Sequence, residues 1–447
     1  MVLPCPLILE NPPPSLLVRS PTFSHNDLVL QIAEIYAGYI GRFLAQYIHE
    51  NSLCSEIRIV DKVLPQLAHL APEHEEPCSP SVFVQADASR ETSIARVFDR
   101  PNTDQPWDFV FNLGGETAWA QPAEIYRLRN LALSVTLGKE AARRRVKAFV
   151  EASTGMVYSP GRTPRKETDK LKPWMKLARS KLEAEEELSR MQGLNLVILR
   201  LAHVYGPYDS AFIAKALCLA RVYQEQGREL EWLWTEDLRI NTVHVEDVAR
   251  AFWRAAEWRA QHNSVTSDDI MAASVAPSPT TTTITSPSSL RGLPNGHGSS
   301  NSVSSAGRTQ PNGVSPLNPP IFNIVDHGNT SQGDLAKAIS HVFHIKTGFQ
   351  GTLISHFAKM HLDSVVDQLN EEVLQPWADL LAKKQITRPG PLSPFMEKQL
   401  LKDNDLSMDG TLFEKVTGFE YQKGVGGLDA KGIQEMVDSY ERMGWWP

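Results

Sequence analysis

The sequence predicts an α/β protein: a doubly wound parallel sheet with a smaller, mainly helical C-terminal lobe. Three observations carry this reading. Short apolar runs recur from Asp27 onward, amphipathic helical patterns separate most of them, and a glycine pair, Gly38 and Gly41, opens the helix after the first run. Strands covered by helices on both faces read as apolar runs, and such sheets are parallel because each strand returns through a crossover helix. With 447 residues and 42% hydrophobic composition, the chain can bury a core of that size and carry a lobe besides.

Taken in order, residues 1–26 are Pro-rich and aperiodic and predict a disordered arm. Residues 27–262 form the main domain. Its strands are expected at Leu28–Ile32, Glu56–Asp61, Val82–Gln85, Asp108–Leu113, Lys147–Glu151 and Leu196–Leu201, with helices such as Gly41–Glu50 and Ala123–Arg144 between them. Ile240–Val245 and Ile321–Val325 read as later strands of the same sheet. Between these two, residues 263–318 are a Ser/Thr/Pro/Asn/Gly tract that includes Thr280 to Thr283. Its composition predicts a disordered insert within one fold rather than a domain boundary. Residues 319–447 supply the last strand and the helical lobe, to which residues at about 205–235 also contribute. In that lobe Leu353, Phe357 and Met360, then Val366, Leu369 and Val373, recur at helical spacing before Pro376 interrupts. The stripe is expected to face the core; the alternative is the wall or lid of an apolar substrate cavity.

Composition narrows the function. The net charge of -7 argues against a nucleic-acid binder, and Arg143-Arg144-Arg145 reads as a solvated helix end. The cysteines, Cys5, Cys54, Cys78 and Cys218, form no C-x-x-C pair and have no His-rich companion, so no metal site is expected. No apolar run reaches the roughly 18 residues of a membrane span, and the N-terminus lacks a basic start. A cytoplasmic protein acting on a small molecule is the expectation.

A dinucleotide site needs a strand, a glycine turn and a helix N-terminus facing the pyrophosphate. Leu28–Ile32 is the strand, and Ala37-Gly38-Tyr39-Ile40-Gly41 opens the helix. Gly38 and Gly41 have the spacing of the last two glycines of such a turn, whereas Ile35 stands where the first belongs. Asp61 ends the second strand 20 residues after Gly41, where a carboxylate accepts ribose hydroxyls and repels a 2′-phosphate, favouring NAD over NADP. A helix N-cap is the competing reading of Asp61. Asp87 follows the third strand, where an acid can bond the adenine amino group. Leu113 and Gly114 follow the fourth, where small residues let backbone lie along a cofactor.

These motifs, together with Asn130, Ser153-Thr154, Val157-Tyr158, Ser180-Lys181-Leu182, Arg200, Val204-Tyr205-Gly206-Pro207 and Val243-His244-Val245-Glu246-Asp247-Val248-Ala249, stand in one order. In that order they resemble the extended short-chain dehydrogenase/reductase superfamily, the branch with NAD-dependent epimerases, dehydratases and 3β-hydroxysteroid dehydrogenases. The resemblance implies a Rossmann-type domain, NAD as cofactor, and hydride transfer at a hydroxyl or carbonyl of a sugar nucleotide or a steroid- or lipid-like molecule. It implies that Thr154, with Ser153 beside it, polarises the substrate oxygen, that Lys181 holds the nicotinamide ribose, and that Asn130 supports the helix near the site. His203 and Tyr205 fall at the substrate cleft, where a His can bind a phosphate or act as a base, a structural hydrogen bond being the competing reading. Homodimerisation through two long sheet-flanking helices is also implied. One element of the pattern is broken: four residues before Lys181, where the family carries its acid/base Tyr, stands Leu177, and no Tyr in the chain has a Lys four residues later. The chain is therefore expected to be an atypical oxidoreductase or epimerase. The alternative is a non-catalytic nucleotide-sensing or scaffold protein that keeps the fold.

Overall fold

The computed structural model describes residues 26–31, 38–100, 103, 105–275 and 318–447. Eleven strands are found among these residues: β1 (Asn26–Gln31), β2 (Cys54–Asp61), β3 (Phe83–Gln85), β4 (Phe109–Asn112), β5 (Ala148–Thr154), β6 (Leu196–Leu201), β7 (His203–Tyr205), β8 (Leu230–Trp232), β9 (Thr242–His244), β10 (Ile321–Ile324) and β11 (Thr347–Phe349). Seven of them form one parallel sheet in the order β10-β6-β5-β4-β1-β2-β3. The order runs outward in both directions from the β1–β4 pair, and a crevice opens there at the carboxyl ends of the strands.

Both faces are buried, as apolar runs without alternation require. Val60, Val110, Phe149 and Ile198 pack on one side with Leu133, Leu137 and Leu188. Ile59, Phe111, Val150 and Leu199 pack on the other with Val248 and Phe252. The helix expected over Ala123–Arg144 runs through without a break, but its middle turn, Arg127–Ala132, is a π-helix. Such turns insert an extra residue and re-aim the side chains around it, frequently at functional sites. Here that turn buries Asn130 completely.

Four sequence expectations are corrected. Ile240–Val245 is not part of the main sheet: β9 pairs with β7 in a separate two-stranded sheet. The place beside β6 is taken by β10, whose Phe322 and Ile324 are fully buried, so the chain leaving β6 at Ala202 finds another partner. The tract 263–318 is partly ordered, because Ser267–Val275 is a helix that puts Ile270 into the core, and Ser267 bonds Asn318 and Pro319. Pro376 lies inside the helix Leu362–Lys383 rather than ending it. Burial of Val373, Trp377 and Leu380 on one face offsets the roughly 3 kcal/mol that an interior proline costs. Finally, Phe357 and Met360 are exposed, whereas Val366 and Val373 are buried; Leu369 packs partly buried against the same core. The first half of the stripe therefore lies on a rim and only the second faces the core. The side chain of Leu353, the N-terminal arm to residue 25, the segment 32–37 with Ile35, and residues 276–317 lie outside the described residues.

Candidate active site

The crevice at the switch in strand order is walled by the helix Tyr39–Glu50, the ends of β2, β4 and β5, and the helix Lys176–Ser189. Gly38 is the N-cap of the first helix, no side chain caps it, and its first turn holds no acid. The first amides of a helix have no intrahelical partner, so this end is open to an anion. Tyr39 and Ile40 contribute backbone here. The Tyr39 ring turns inward, edge-on to Phe43 at 5.8 Å, and burial drives its phenol well above its ordinary pKa. Gly41 is buried within the helix.

Asp61 ends β2 buried, with Oδ1 accepting the Val63 amide at 2.9 Å. Its place in a strand-end turn, not at a helix start, removes the N-cap reading. Asp87 is less enclosed. Burial would raise its pKa, but the Ser89 amide and hydroxyl and the Lys62 ammonium at 3.5 Å outweigh this and hold it low. Leu113 and Gly114 follow β4 with Gly115, whose φ is +147°. A Cβ on Gly115 would stand 2.5 Å from Asn130 Oδ1 and 3.3 Å from Lys181 Nζ. Only glycine lets the backbone pass this close to the lysine.

Lys181 is buried and donates to the Gly114 carbonyl at 3.2 Å, tying the lysine helix to the end of β4. Its ammonium also lies 3.7 Å from Glu151. Glu151 is fully buried on β5, where burial pushes its pKa up to about 7 against the pull of Lys181 and the bonds from Asn112 Nδ2 (2.6 Å) and Ser134 Oγ (2.9 Å). Sequence reasoning missed this network. Its signal was present: Asn112 and Glu151 are polar residues inside apolar runs on central strands. Asn130 accepts the Glu116 amide at 2.6 Å and donates to Ser180 at 2.9 Å, bracing the lysine helix from the π turn.

The two hydroxyls of β5 diverge, as neighbours on a strand must. Thr154 is part-exposed, and its Oγ1 accepts the Met156 amide at 3.2 Å, which leaves its proton available. Ser153 is corrected as a catalytic candidate. It is buried and donates to Glu185, which is held by Arg200 through a 2.6 Å ion pair. Tyr158 belongs to the same buried cluster, accepting from Arg200 at 2.9 Å and donating to Asn323 at 2.7 Å, with burial raising its pKa. Among the described residues no phenol takes the place of the family's Tyr, where Leu177 stands, buried.

Past Thr154, beginning at Met156, a cavity of about 460 Å³ opens, lined by Met156, Trp174, Met175, His203, Phe212 and Trp232 among others. Burial lowers the His203 pKa to about 4, so the ring is neutral at pH 7. Tyr205 is corrected: it is buried edge-on against His244 at 5.3 Å and does not line the cavity. Against the expectation of no metal cluster, folding brings His244, Glu246 and Glu435 together with ligand atoms within 4.8 Å of one another. Lys423 already pairs with Glu246 at 3.2 Å. Among the described residues no helix is long and apolar enough to cross a membrane.

No curated protein matches the sequence. The sequence pattern of the family described as "NAD dependent epimerase/dehydratase family" matches residues 36–266. Solved structures share the fold at low identity. UDP-N-acetylglucosamine 4-epimerase from Bacillus cereus is 13% identical, with a TM-score of 0.52 over 92% of this chain and 94% of that one. The Bordetella bronchiseptica enzyme WbmG in complex with NAD and UDP is also 13% identical, with a TM-score of 0.55 over 95% and 97%. Pal from Bacillus thuringiensis is 14% identical, with a TM-score of 0.55 over 92% and 99%. The sheet order, the open helix terminus at Gly38, the placing of Lys181 against β4 and the match across more than half its length make the chain a member of the NAD-dependent epimerase/dehydratase family.

Proposed function

We propose that the chain binds NAD at the β1–β4 crevice and supports oxidation or reduction at a hydroxyl or carbonyl carbon of a small molecule held in the adjoining cavity. The observation that supports it most is the Lys181 ammonium, buried and hydrogen-bonded to Gly114 at the end of β4, beside Thr154 on the next strand. The family's cofactor supplies the hydride acceptor or donor. The residues toward it are the amides at Tyr39 and Ile40 for the pyrophosphate, Asp61 for the adenosine ribose, and Lys181 for the nicotinamide ribose. Thr154 donates its hydroxyl proton to the substrate oxygen, and His203 offers a neutral imidazole on the cavity wall.

Calorimetric titration with NADH and NADPH tests this. A carboxylate beside the ribose repels a 2′-phosphate, so NADH should bind at least tenfold tighter. Equal or tighter NADPH binding would overturn the assignment of Asp61. A non-catalytic nucleotide-binding reading is favoured by one observation: Leu177 fills the acid/base position, and the nearby Tyr158 hydroxyl is committed to Arg200 and Asn323. NADH binding without hydride transfer to any substrate class would select it. A homodimer through the helices 123–144 and Lys176–Ser189 belongs to the same proposal, and sedimentation equilibrium tests it.

A further inference from the structure

We infer that the cavity lined by Met156 and His203 takes an uncharged, largely apolar molecule bearing a hydroxyl or carbonyl, and not a nucleoside diphosphate. The inference rests on the proposed function for the position of the site, and on the cavity wall for the ligand's chemistry.

A pyrophosphate carries two or more negative charges and is held by arginine, lysine or free helix amides. The wall supplies few of these. Its charged residues are Arg228 and Lys402 against Glu229, Glu231 and Glu372, so acids outnumber bases. The Arg228 guanidinium is already engaged: it bonds Gln226 at 3.2 Å, pairs with Glu372 at 3.5 Å and lies over the Tyr223 ring at 4.8 Å. Lys359, near Trp234, pairs with Asp403. The helix Phe212–Gln226 brings its N-terminus to the wall at Phe212, but the buried Asp209 carboxylate takes the Ala211 amide there at 2.8 Å and accepts from Ala214 as well. An acid at that terminus fills the place where a phosphate would bind and repels it.

The rest of the wall is aromatic and aliphatic. Trp174, Phe212, Trp232, Trp234, Leu219 and Ile354 enclose a volume of about 460 Å³, which suits a multi-ring or long-chain body. Two polar atoms in this wall are buried without a hydrogen-bond partner among the described residues: the Trp232 Nε1 donor and the Gln399 Oε1 acceptor. A buried polar group left unpaired costs about 1–3 kcal/mol. Both atoms are shielded from the cavity as the wall stands, and one donor with one acceptor could not neutralise a diphosphate.

The test uses the full chain, with and without saturating NADH. Nile red, neutral and polycyclic, is titrated by fluorescence and then displaced with 4-cyclohexylcyclohexanol, 1-decanol and UDP-glucose. Single-site Nile red binding is expected, with both alcohols displacing it at concentrations at least tenfold below UDP-glucose. Ile354→Glu and Phe357→Glu change wall residues that are each half exposed, so folding is not at stake. Each should weaken the probe and both alcohols at least tenfold. UDP-glucose competing as well as the alcohols, or probe affinity unchanged in both variants, would overturn the inference. NADH affinity, measured by calorimetry in the same samples, separates the two readings. Alcohol binding without NADH binding sinks the cofactor assignment and upholds this one; NADH binding with preferred UDP-glucose does the reverse.

Discussion

Leu177 and Lys181 are one helical turn apart, on the face of Lys176–Ser189 that is buried against the crevice. A phenol at 177 would sit at i, i+4 from the ammonium, which favours the phenolate and lowers the phenol's pKa from about 10. Leu177→Tyr should therefore raise hydride transfer by about 10²–10⁴-fold, the usual worth of a placed acid/base group, measured as NADH formation with the alcohols that displace the cavity probe. Lys181→Ala should weaken NADH binding at least tenfold by calorimetry, with or without catalysis. Unchanged affinity would mean that Lys181 does not reach the cofactor. Glu151 limits the gain. It lies 3.7 Å from the Lys181 ammonium and has a pKa of about 7, so above neutrality its carboxylate competes for the charge a phenolate would use. Alcohol oxidation needs the phenolate, so the gain over the parent should still grow from pH 6 to pH 8, but less steeply than a phenol beside Lys181 alone would give. At this scale the sequence was legible where a residue's position depends on its neighbours along the chain: Gly38 stands at the helix start, and Lys181 follows Leu177 by one turn of the same helix. It was not legible for Ser153, because the choice between cleft and core depends on Glu185 and Arg200, which other elements bring in.

Elements were legible where local pattern and tertiary demand agree. β6 forms over the expected span, Leu196–Leu201, because six consecutive buried residues admit no other reading. The helix over 123–144 was equally plain, but its π turn was not, since nothing in Arg127–Ala132 differs from ordinary helix and the extra residue reflects what Asn130 must reach. β9 was misplaced because the same apolar run satisfies either sheet, and only the claim of β10 on the edge of β6 decides between them. The helix Phe212–Gln226 yields a prediction of its own. Asp209, at its start, is buried with Oδ2 unpartnered among the described residues, and burial raises its pKa from 3.8 to about 7. A folded-state pKa above the unfolded value means that the native state binds the extra proton. The contribution is full below the unfolded pKa of about 3.9 and is lost as pH rises through the folded value. Asp209→Asn keeps an oxygen for the Ala211 amide and removes the charge. Calorimetric melting at pH 5 and pH 8 should show the variant gaining on the parent as pH rises; a constant difference would mean that Asp209 ionises in the fold without penalty.

At the scale of the molecule, the described ends of the long low-complexity tract meet at the edge of the sheet. The Ser267 amide donates to the Asn318 carbonyl at 2.9 Å and its hydroxyl to Pro319 at 2.6 Å, so the helix Ser267–Val275 starts where the following strand segment begins. A helix rises 1.5 Å per residue, which puts Val275 within about 14 Å of Asn318. About six extended residues can cover roughly 20 Å, enough to join the two points. Replacing 276–317 by a six-residue Gly/Ser linker shortens the loop about sevenfold, and each halving of loop length returns about 0.6 kcal/mol of closure entropy. The shortened chain should melt at the same temperature as the parent or slightly above it, with NADH affinity unchanged. Removing 263–318 in full is a different change. It takes away Ile270, which is buried in the main core, and the Ser267 bonds that hold β10 in line with β6. Loss of a buried Ile with its helix costs about 2–5 kcal/mol and loosens the strand that closes the sheet edge. That variant should melt several degrees lower. Equal melting of the two variants would show that Ser267–Val275 adds nothing to the fold, whereas a lower melting temperature for the shorter deletion alone would show that 276–317 packs against it.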